Sequence, residues 1–263
     1  MIIVKIGGGA GINIDGVISD LAALKEMFII IHGANALRDE LAEQLGYPKK
    51  TVTSVSGYSS VLTDEKALDI MMMAYAGLKN KRIVELCQQK GINAVGLSGV
   101  DGKVIQSRRN KGIRVRENGK LMLLKDFSGK AFSINKELLD LLLQNNYTPV
   151  LCVPTIDENN VATNSENDDI VALLQNEFKA EKIIQLIEAP GFLEDKNNPD
   201  SLVKEMSQSE LERRENDVEG RMKRKILALR KLFEGGDTTV IIADGRTANP
   251  IKDALNGKGT TIK

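Results

Sequence analysis

Short apolar runs alternate with amphipathic segments along the first part of the chain. Residues 2–6 and 27–31 are apolar runs rich in β-branched side chains, which predict two buried strands. Residues 15–26 and 35–45 place apolar side chains at helical spacing and so predict two helices. Strand, helix, strand and helix in this order indicate parallel strands covered by helices.

The same pattern continues towards the end of the chain. Further elements are predicted as a strand and turn at 93–102, strands at 148–154, 182–188 and 238–244, and helices at 135–145, 168–178 and 221–234. Residues 103–126 favour antiparallel strands with an Asn-Gly turn at 117–120, and residues 259–263 favour an edge strand. We therefore predict an α/β protein with a mainly parallel central sheet.

Size and charge limit the classes of protein to consider. The 263 residues are enough for one large domain or two joined lobes, and the loop at 155–165 favours lobes of residues 1–160 and 161–263. Lys plus Arg and Asp plus Glu each number 36, so the formal net charge is zero, which argues against a nucleic-acid-binding protein.

Cysteine usage and the absence of long apolar runs predict the compartment. Cys87 and Cys152 lie in apolar stretches and do not form a disulfide framework. No apolar run approaches the roughly 20 residues that span a bilayer, and the first residues lack the charged region of a signal peptide. We expect a soluble cytoplasmic protein that does not associate with membranes.

The first predicted strand ends in Lys5-Ile6-Gly7-Gly8-Gly9. Glycines let the backbone turn sharply and direct N–H groups at an anion, and the N-terminus of the next helix adds partial positive charge. A lysine at the carboxyl end of a parallel strand lies where open α/β sheets bind ligands. The motif indicates a phosphate site; an ordinary strand-turn-helix with a surface lysine is the open alternative.

A second turn of this kind follows the second strand, as His32-Gly33-Ala34-Asn35. It predicts another set of N–H groups facing an anion, and the alternative is an ordinary loop in which Asn35 caps the helix. His32 is the single histidine of the chain. We assign it no catalytic role.

Two further segments carry candidate charged groups. Residues 220–225 (GRMKRK) open a helix in which Lys225 would reach a phosphate at the N-terminus, and a solvated basic face is the alternative. Asn164 and Asp168 lie four residues apart before another helix. The carboxylate could hold two lysines and the amide could bind a substrate carboxylate; helix capping by Asp168 or Asn167 is the alternative.

Together these segments resemble the amino acid kinase family, in order and over nearly the whole chain. Within the family, the chain is most similar to kinases that act on glutamate or 2-aminoadipate attached to a LysW-type amino-group carrier protein. The resembling stretches are VKIGGGAGIN at 4–13, TDEKALDI at 63–70, residues 75–102, ENGK at 117–120, GRMKRK at 220–225, ADGRTANPI at 243–251 and GKGT at 257–260.

The resemblance implies a fold and a division of labour. The fold would be a three-layer α/β/α sandwich of the carbamate kinase type with two lobes. Residues 1–160 would bind the acceptor carboxylate and supply a homodimer surface, and residues 161–263 would bind ATP.

The resemblance also implies roles for individual residues. Lys5 and Lys225 would stabilise the transferring phosphoryl group, and Asp168 would orient both lysines. The implied nucleotide-binding residues are Gly7, Gly8, Gly191, Lys223 and Lys225. The implied acceptor-binding positions are Gly8, Gly33, Ala34, Val61 and Asn164. Mg²⁺ would bridge the ATP phosphates, no residue is assigned as a metal ligand, and the product would be an acyl phosphate.

Three departures from the family pattern fall on or near the acceptor side. Ala34 stands where the family has glycine, and its Cβ would crowd a close ligand. Val61 stands where the family has an arginine that binds the α-carboxylate of the substrate. Residues 164–169 read NSENDD instead of the Asn-x-Asp-x-Asp-Gln type. We expect phosphoryl chemistry to be retained with an acceptor that differs from plain glutamate or aminoadipate.

Two surfaces are predicted to bind other proteins. Because carriers of the LysW type are acidic, a cationic hairpin is predicted to dock the carrier, with a solvated hairpin as the alternative. Its residues are Arg108, Arg109, Lys111, Arg114 and Arg116. The predicted helix 66–78, with Met71, Met72, Met73 and Tyr75, would supply the homodimer surface unless these side chains belong to the core.

Three functions stay open, and a carrier-dependent carboxylate kinase of lysine or arginine biosynthesis is favoured. A kinase of the N-acetylglutamate kinase type would act on a free small acid without a carrier. A non-catalytic paralogue would bind ligand without turnover. The presence of Lys5, Asp168 and Lys225 together favours an enzyme.

Overall fold

The computed structural model describes residues 1–55, 57, 59–117, 119–195, 197–217 and 220–263, except for the side chains of residues 59, 117, 199, 217 and 220–225. The strands in this part of the chain are β1 (Ile2–Ile6), β2 (Phe28–His32), β3 (Thr51–Thr53), β4 (Ser59–Val61), β5 (Ala94–Ser98), β6 (Ile105–Arg109), β7 (Ile113–Glu117), β8 (Lys120–Leu124), β9 (Gly129–Ile134), β10 (Thr148–Cys152), β11 (Thr155–Ile156), β12 (Ala162–Thr163), β13 (Lys182–Ile187), β14 (Glu205–Met206), β15 (Thr239–Asp244) and β16 (Thr260–Ile262).

Helices fill most of the segments between these strands. They are α1 (Ile14–Ala22), α2 (Asn35–Gln44), α3 (Glu65–Met72), α4 (Asn80–Gln89), α5 (Lys136–Gln144), α6 (Asn167–Phe178), α7 (Gln208–Asp217), α8 (Gly220–Lys231) and α9 (Pro250–Leu255). A π-helical segment, Met73–Lys79, joins α3 to α4. Among the described residues, no helix is both long and apolar enough to cross a membrane.

An eight-stranded sheet forms the centre of the molecule, in the order β14-β16-β15-β13-β1-β2-β10-β5. The six strands from β15 to β5 run parallel, and β16 runs antiparallel to β15. The predicted mainly parallel sheet is confirmed. The prediction of an edge strand at 259–263 is wrong, because β14 pairs with the outer side of β16 and takes the edge itself.

Alternate residues of β1 face two different layers of helices. Ile2, Val4 and Ile6 pack in one core with α1, α4 and α9. Ile3 packs in a second core with α6 and α8 on the opposite face. The predicted three-layer α/β/α sandwich is confirmed. Because successive side chains of a strand point to opposite faces, Lys5 lies on the same face as Ile3, towards α6.

A smaller sheet, in the order β12-β11-β6-β9, packs beside the central one. It divides the predicted cationic hairpin: Arg108 and Arg109 lie in β6, which pairs with β9, whereas the hairpin proper consists of β7 and β8. The predicted antiparallel strands over 103–126 are confirmed, whereas the prediction that Arg108 and Arg109 belong to the hairpin is wrong. The predicted turn is confirmed by the pairing of Glu117 with Lys120, and Asn118 lies outside the described residues.

Both cysteines and part of the methionine segment are internal. Cys87 and Cys152 are free and buried. Met71 and Tyr75 are core residues, whereas Met73 is 46% exposed. Four strands of the central sheet come from residues 1–160 and four from 161–263, and the lobe boundary stays a prediction.

Candidate active site

The turns after β1 and β2 meet backbone to backbone. The Gly8 carbonyl accepts a hydrogen bond from the Ala36 amide at 2.9 Å. A Cβ on Gly8 would lie 2.7 Å from the Asn35 nitrogen, and a Cβ on Gly33 would lie 2.8 Å from the Gly8 nitrogen. Only glycine fits this approach without displacing main chain. The N-terminus of α2 therefore lies beside the loop after β1, and a helix N-terminus favours an anion. The Gly33 amide itself donates to the Ile6 carbonyl at 2.9 Å.

An ion pair joins β1 to the first turn of α6. Lys5 Nζ donates to Asp168 Oδ1. The first turn of a helix favours negative charge, so the carboxylate is well placed there. The Lys5 side chain is 16% exposed and that of Asp168 is 37% exposed. The pair fixes an ammonium group at the carboxyl edge of the sheet while leaving it open to a ligand.

A cleft of about 240 Å³ opens beside Lys5 and Asp168. Its walls are mostly apolar and come from β13, β15, α8 and the segment after β13: Gln185, Ile187, Ala189, Gly191, Phe192, Leu193, Leu229 and Ile242. An apolar slot that ends at a cation has the chemistry to hold the base of a nucleotide with its phosphates at the lysine.

β16 shapes the far wall of this cleft. A Cβ on Gly191 would lie 2.7 Å from Thr260 Oγ1, which is why the chain needs glycine there. The same Oγ1 accepts a hydrogen bond from the Phe192 amide at 2.8 Å. The last strand of the chain, β16, thereby positions Phe192 at the cleft.

Asn164 is held by both its main chain and its side chain. Its amide nitrogen donates to the Phe127 carbonyl at 2.7 Å, and its carbonyl accepts from the Gly129 amide at 2.8 Å. Its Nδ2 donates to Thr63 Oγ1 at 3.1 Å. The Thr63 amide in turn donates to the buried Asp126 at 2.9 Å. These bonds fix the predicted acceptor-binding amide against the start of α3.

Ala34 and Val61 occupy different environments. Ala34 is 1% exposed and holds the N-cap position of α2 without a side-chain cap. Val61 is 37% exposed and lines a small cavity together with Arg38. Asn35 does not cap α2, so that alternative is wrong; its Oδ1 instead accepts a hydrogen bond from the Tyr75 hydroxyl.

His32 packs beneath the second glycine turn. It is completely buried, its Nδ1 donates to the Gly33 carbonyl at 3.3 Å, and its Nε2 accepts from Asn80 at 3.2 Å. Burial lowers the pKa of His32 to about 4, although the Gly33 carbonyl acts in the opposite direction. The imidazole is therefore neutral near pH 7 and turned away from solvent.

Gly9 and Glu188 are in close contact on the other side of the first turn. Glu188 Oε1 accepts a hydrogen bond from the Gly11 amide at 2.6 Å. A Cβ on Gly9 would overlap the Glu188 carboxylate. Glu188 therefore occupies the space that a side chain at position 9 would need.

The structure brings some predicted residues together and leaves others apart. Lys5, Asp168, Gly8 and Gly33 meet at one edge of the sheet, and Gly7 donates to the Leu186 carbonyl at 2.9 Å beside them. The side chains of Lys223 and Lys225 lie outside the described residues. Their helix, α8, contributes Leu229 to the cleft. The roles of all these residues stay predictions.

The cationic residues fall into two groups. Arg109 points inward: its guanidinium lies 4.0 Å from the Phe127 ring centroid, and its Nε donates to the Asp126 carbonyl at 3.3 Å. The other four are exposed, namely Arg108, Lys111, Arg114 and Arg116.

Sequence reasoning missed most of the cleft. Gln185 pairs in register with Lys5 across β13 and β1, so knowing the strand order would have identified it. Phe192, Leu193 and Leu229 gave no signal, because apolar residues that line a cleft have the same pattern as core residues.

Comparison with known proteins gives the family. The model of the amino acid kinase family matches residues 1–244. The chain is 42% identical to a LysW-aminoadipate kinase of Thermus thermophilus over 100% of both chains. It is 39% identical to a LysW-aminoadipate kinase of Deinococcus radiodurans, with 100% of this chain and 91% of the relative covered.

A solved structure shows the same fold. Giardia carbamate kinase has a TM-score of 0.67 and 16% sequence identity, and the match covers 99% of this chain and 97% of that chain. The sequence matches and the shared fold extend over nearly the whole molecule. On these grounds the chain belongs to the amino acid kinase family.

Proposed function

We propose that this chain is an ATP-dependent kinase that phosphorylates the side-chain carboxylate of an amino acid linked to a LysW-type carrier protein. The acceptor is aminoadipate, glutamate or a variant of them, and the product is an acyl phosphate. The observation that carries the proposal is the Lys5–Asp168 pair beside two touching glycine turns. The relatives from Thermus and Deinococcus supply the acceptor class.

The reaction needs charge neutralisation more than proton transfer. An oxygen of the acceptor carboxylate attacks the γ-phosphorus, the bond to the bridging oxygen of ADP breaks, and ADP leaves with that electron pair. A carboxylate is already ionised at neutral pH, so no general base is required. Lys5 and the N–H group at Gly8 stabilise the charge that develops on the transferring group. The Gly33 N–H donates to the Ile6 carbonyl at 2.9 Å, so Gly33 contributes here through its close backbone approach to Gly8. Asp168 orients Lys5, and Lys225 is proposed as the second lysine.

Mg²⁺ enters this proposal together with ATP. Among the described residues, no group of three or more His, Cys, Asp or Glu side chains converges on one point. Mg²⁺ keeps several waters and binds largely through substrate phosphates. The site therefore suits a metal that accompanies the nucleotide and reduces the phosphate charge, with no side chain assigned to it.

Exposed cations near the active site support docking of an acidic carrier. Arg108 and Lys111 border an open groove of about 530 Å³ that also contains Lys130 and the exposed Phe132. α6, whose first turn carries Asp168, forms the opposite wall. Arg114 and Arg116 extend the positive charge onto the β7–β8 hairpin. We propose that the carrier binds along this side, with Arg109 supporting Phe127 from within.

The homodimer and the cytoplasmic location stay predictions. Met73 and Leu78 are 46% and 50% exposed on the helical segment proposed for the dimer surface. Light scattering of the purified protein at several concentrations measures the oligomeric state directly.

Trapping of the acyl phosphate with hydroxylamine tests the function. The wild type is incubated with ATP and Mg²⁺ and with carrier-linked aminoadipate, carrier-linked glutamate, free N-acetylglutamate or no acceptor. A hydroxamate that forms only with a carrier-linked acceptor supports the proposal. Formation with the free acid alone would favour the carrier-independent kinase, and no hydroxamate with any acceptor would favour the non-catalytic paralogue.

A further inference from the structure

A small cavity lies in the acceptor half of the molecule; its lining is mostly apolar and also includes Arg38, Lys49 and Lys50. It occupies about 30 Å³ between α2, residues 47–50 and the start of α3. A space of this size accommodates roughly two waters, and hence one carboxylate group. Thr63 and Val61 line it, and Thr63 also accepts the hydrogen bond from Asn164. The cavity therefore borders the amide that is proposed to bind the acceptor.

Arg38 enters this cavity from α2 and is held firmly. Its Nε and Nη2 donate to Asp39 Oδ1 at 2.9 and 2.6 Å, and Lys49 Nζ donates to Asp39 Oδ2 at 2.5 Å. Burial raises the pKa of Asp39, but hydrogen bonds from Lys49 and Arg38 outweigh it and lower that pKa overall. Asp39 is thus ionised near neutral pH, and two cations share it.

The carboxylate that lines the cavity, Asp64, is already satisfied. Asp64 Oδ1 accepts from the Ala67 amide at 3.0 Å, which caps α3, and its Oδ2 accepts from the Tyr47 hydroxyl at 2.5 Å. Lys50 adds a third cation to the lining. The lining therefore carries three cations and the carboxylate of Asp64, and Asp39 lies outside it. Arg38 Nη1 has no hydrogen-bond partner within the described part of the chain.

Arg38 lies one helical turn from the proposed phosphoryl-transfer centre. α2 begins at Asn35, whose nitrogen packs against Gly8, and three residues advance the helix by roughly 5 Å. Side chains of a helix generally lean towards its N-terminus, and here the guanidinium is held by Asp39. Burial raises the pKa of Tyr75, and the charge of Arg38 acts in the opposite direction. The Tyr75 hydroxyl donates to Asn35 Oδ1 at the start of the same helix.

We infer that this cavity binds the second, unreacted carboxylate of the acceptor and that the Arg38 guanidinium is its hydrogen-bond donor. The inference rests on the proposed function and narrows its substrate to a short dicarboxylate. One carboxylate reacts at the glycine turns, and the other lies about one turn further along α2. A guanidinium matches the planar geometry of a carboxylate, whereas Val61 on the same cavity offers no donor.

Direct binding tests this assignment without requiring turnover. Isothermal titration calorimetry measures the affinity of the wild type for N-acetyl-2-aminoadipate and for its α-carboxamide, each with a non-hydrolysable ATP analogue present. We expect the carboxylate to bind roughly 10- to 100-fold more tightly than the carboxamide. Arg38→Met removes that preference, and Arg38→Lys retains only part of it because the planar fork is lost.

Two further variants separate recognition from folding. Lys49→Met removes a neighbouring positive charge and keeps the preference for the carboxylate. The double variant Arg38→Met/Val61→Arg returns a guanidinium to the same cavity and restores the preference, which a purely structural role of Arg38 does not explain.

The inference is overturned if the wild type binds the two compounds with equal affinity. It is also overturned if the wild type binds neither compound. A preference that survives in Arg38→Met also overturns it. The comparison within the wild type is decisive even where a variant fails to fold. Hydroxylamine trapping measures phosphoryl transfer independently of the ratio of the two affinities. A failure of the proposed function would therefore appear in the trapping assay, and a failure of this inference would appear in the affinity ratio.

Discussion

The two sides of the candidate site differ in whether main chain or side chains form them. On the phosphoryl side, main chain from adjacent strands of the central sheet is in direct contact, and neither Gly8 nor Gly33 has room for a Cβ. On the acceptor side, side chains from α2 and the short strand β4 surround a cavity, and Val61 is 37% exposed. A centre made of backbone tolerates little substitution, whereas a wall of side chains can change residue by residue and accept another substrate.

The largest effect is expected from removing the ammonium group of the phosphoryl side. Lys5→Met should lower kcat roughly 10²- to 10³-fold with every acceptor, because the developing charge loses its partner. The rate of hydroxamate formation at saturating ATP measures this. Lys182→Met, in the neighbouring strand β13, is the matched control and should keep the wild-type rate. An unchanged kcat in Lys5→Met would refute the role of Lys5.

Adding a single methyl group to the glycine contact should produce the next largest effect. Gly8→Ala brings a Cβ to 2.7 Å from the Asn35 nitrogen, and the displaced turns should cost about 10²-fold in kcat. Gly77→Ala is the control, because the nearest atom to its Cβ, the Met72 carbonyl oxygen, lies at 3.6 Å. Equal activity of the two variants would show that the close backbone approach is unimportant.

Buried His32 makes the phosphoryl side sensitive to acid. Because the pKa of His32 falls from 6.5 to about 4 on folding, the unfolded chain binds the extra proton between these values. Folding with a neutral His32 therefore carries no penalty above pH 6.5. The free energy of unfolding decreases by up to about 3 kcal/mol as the pH falls towards 4. Urea denaturation across this range should show a smaller loss in His32→Gln than in the wild type. If the free energy of unfolding depends on pH in the same way in both proteins, His32 is not the group responsible for the loss of stability.

The smallest effect is expected from the carrier-docking cations of the acceptor side. Lys111→Glu should raise KM for the carrier-linked acceptor roughly two- to fivefold, with KM for ATP unchanged, because exposed charges contribute little individually. Added salt should reduce the difference. Arg82→Glu, on α4 in the opposite layer, carries the same charge change and should have no effect. A matching rise in Arg82→Glu would point to net charge instead of a docking site.

Elements whose signal is local were predictable from the sequence. β1 and β2 are apolar runs bounded by glycine turns, and α1 has strong apolar periodicity, whereas that of α2 is weak. α9 was missed because it has only six residues and begins at Pro250, directly after the cap residue Asn249. The position of β16 was wrong because strand order depends on contacts with β14, more than fifty residues earlier in the chain, which no local pattern encodes.

The residues of the candidate site also differ in how far the sequence predicted them. The two glycine turns were visible as motifs, and the resemblance suggested that Asp168 would meet Lys5, 163 residues away. Arg38 gave no signal, because one arginine on an amphipathic helix is the ordinary sign of a solvated face. Its significance comes from Asp39, Lys49 and the cavity opposite, which only the folded chain brings together.

The contact between Gly9 and Glu188 has an evolutionary consequence. A side chain at position 9 would overlap the Glu188 carboxylate, so the two positions share one limited volume. Because the Glu188 carboxylate is the far end of a flexible side chain, it can turn aside for a larger residue at position 9, with loss of its hydrogen bond from the Gly11 amide. Chains of this fold with a larger residue at position 9 should therefore lack that hydrogen bond. Gly9→Ala alone should cost little stability, and Glu188→Ala alone should leave room at position 9.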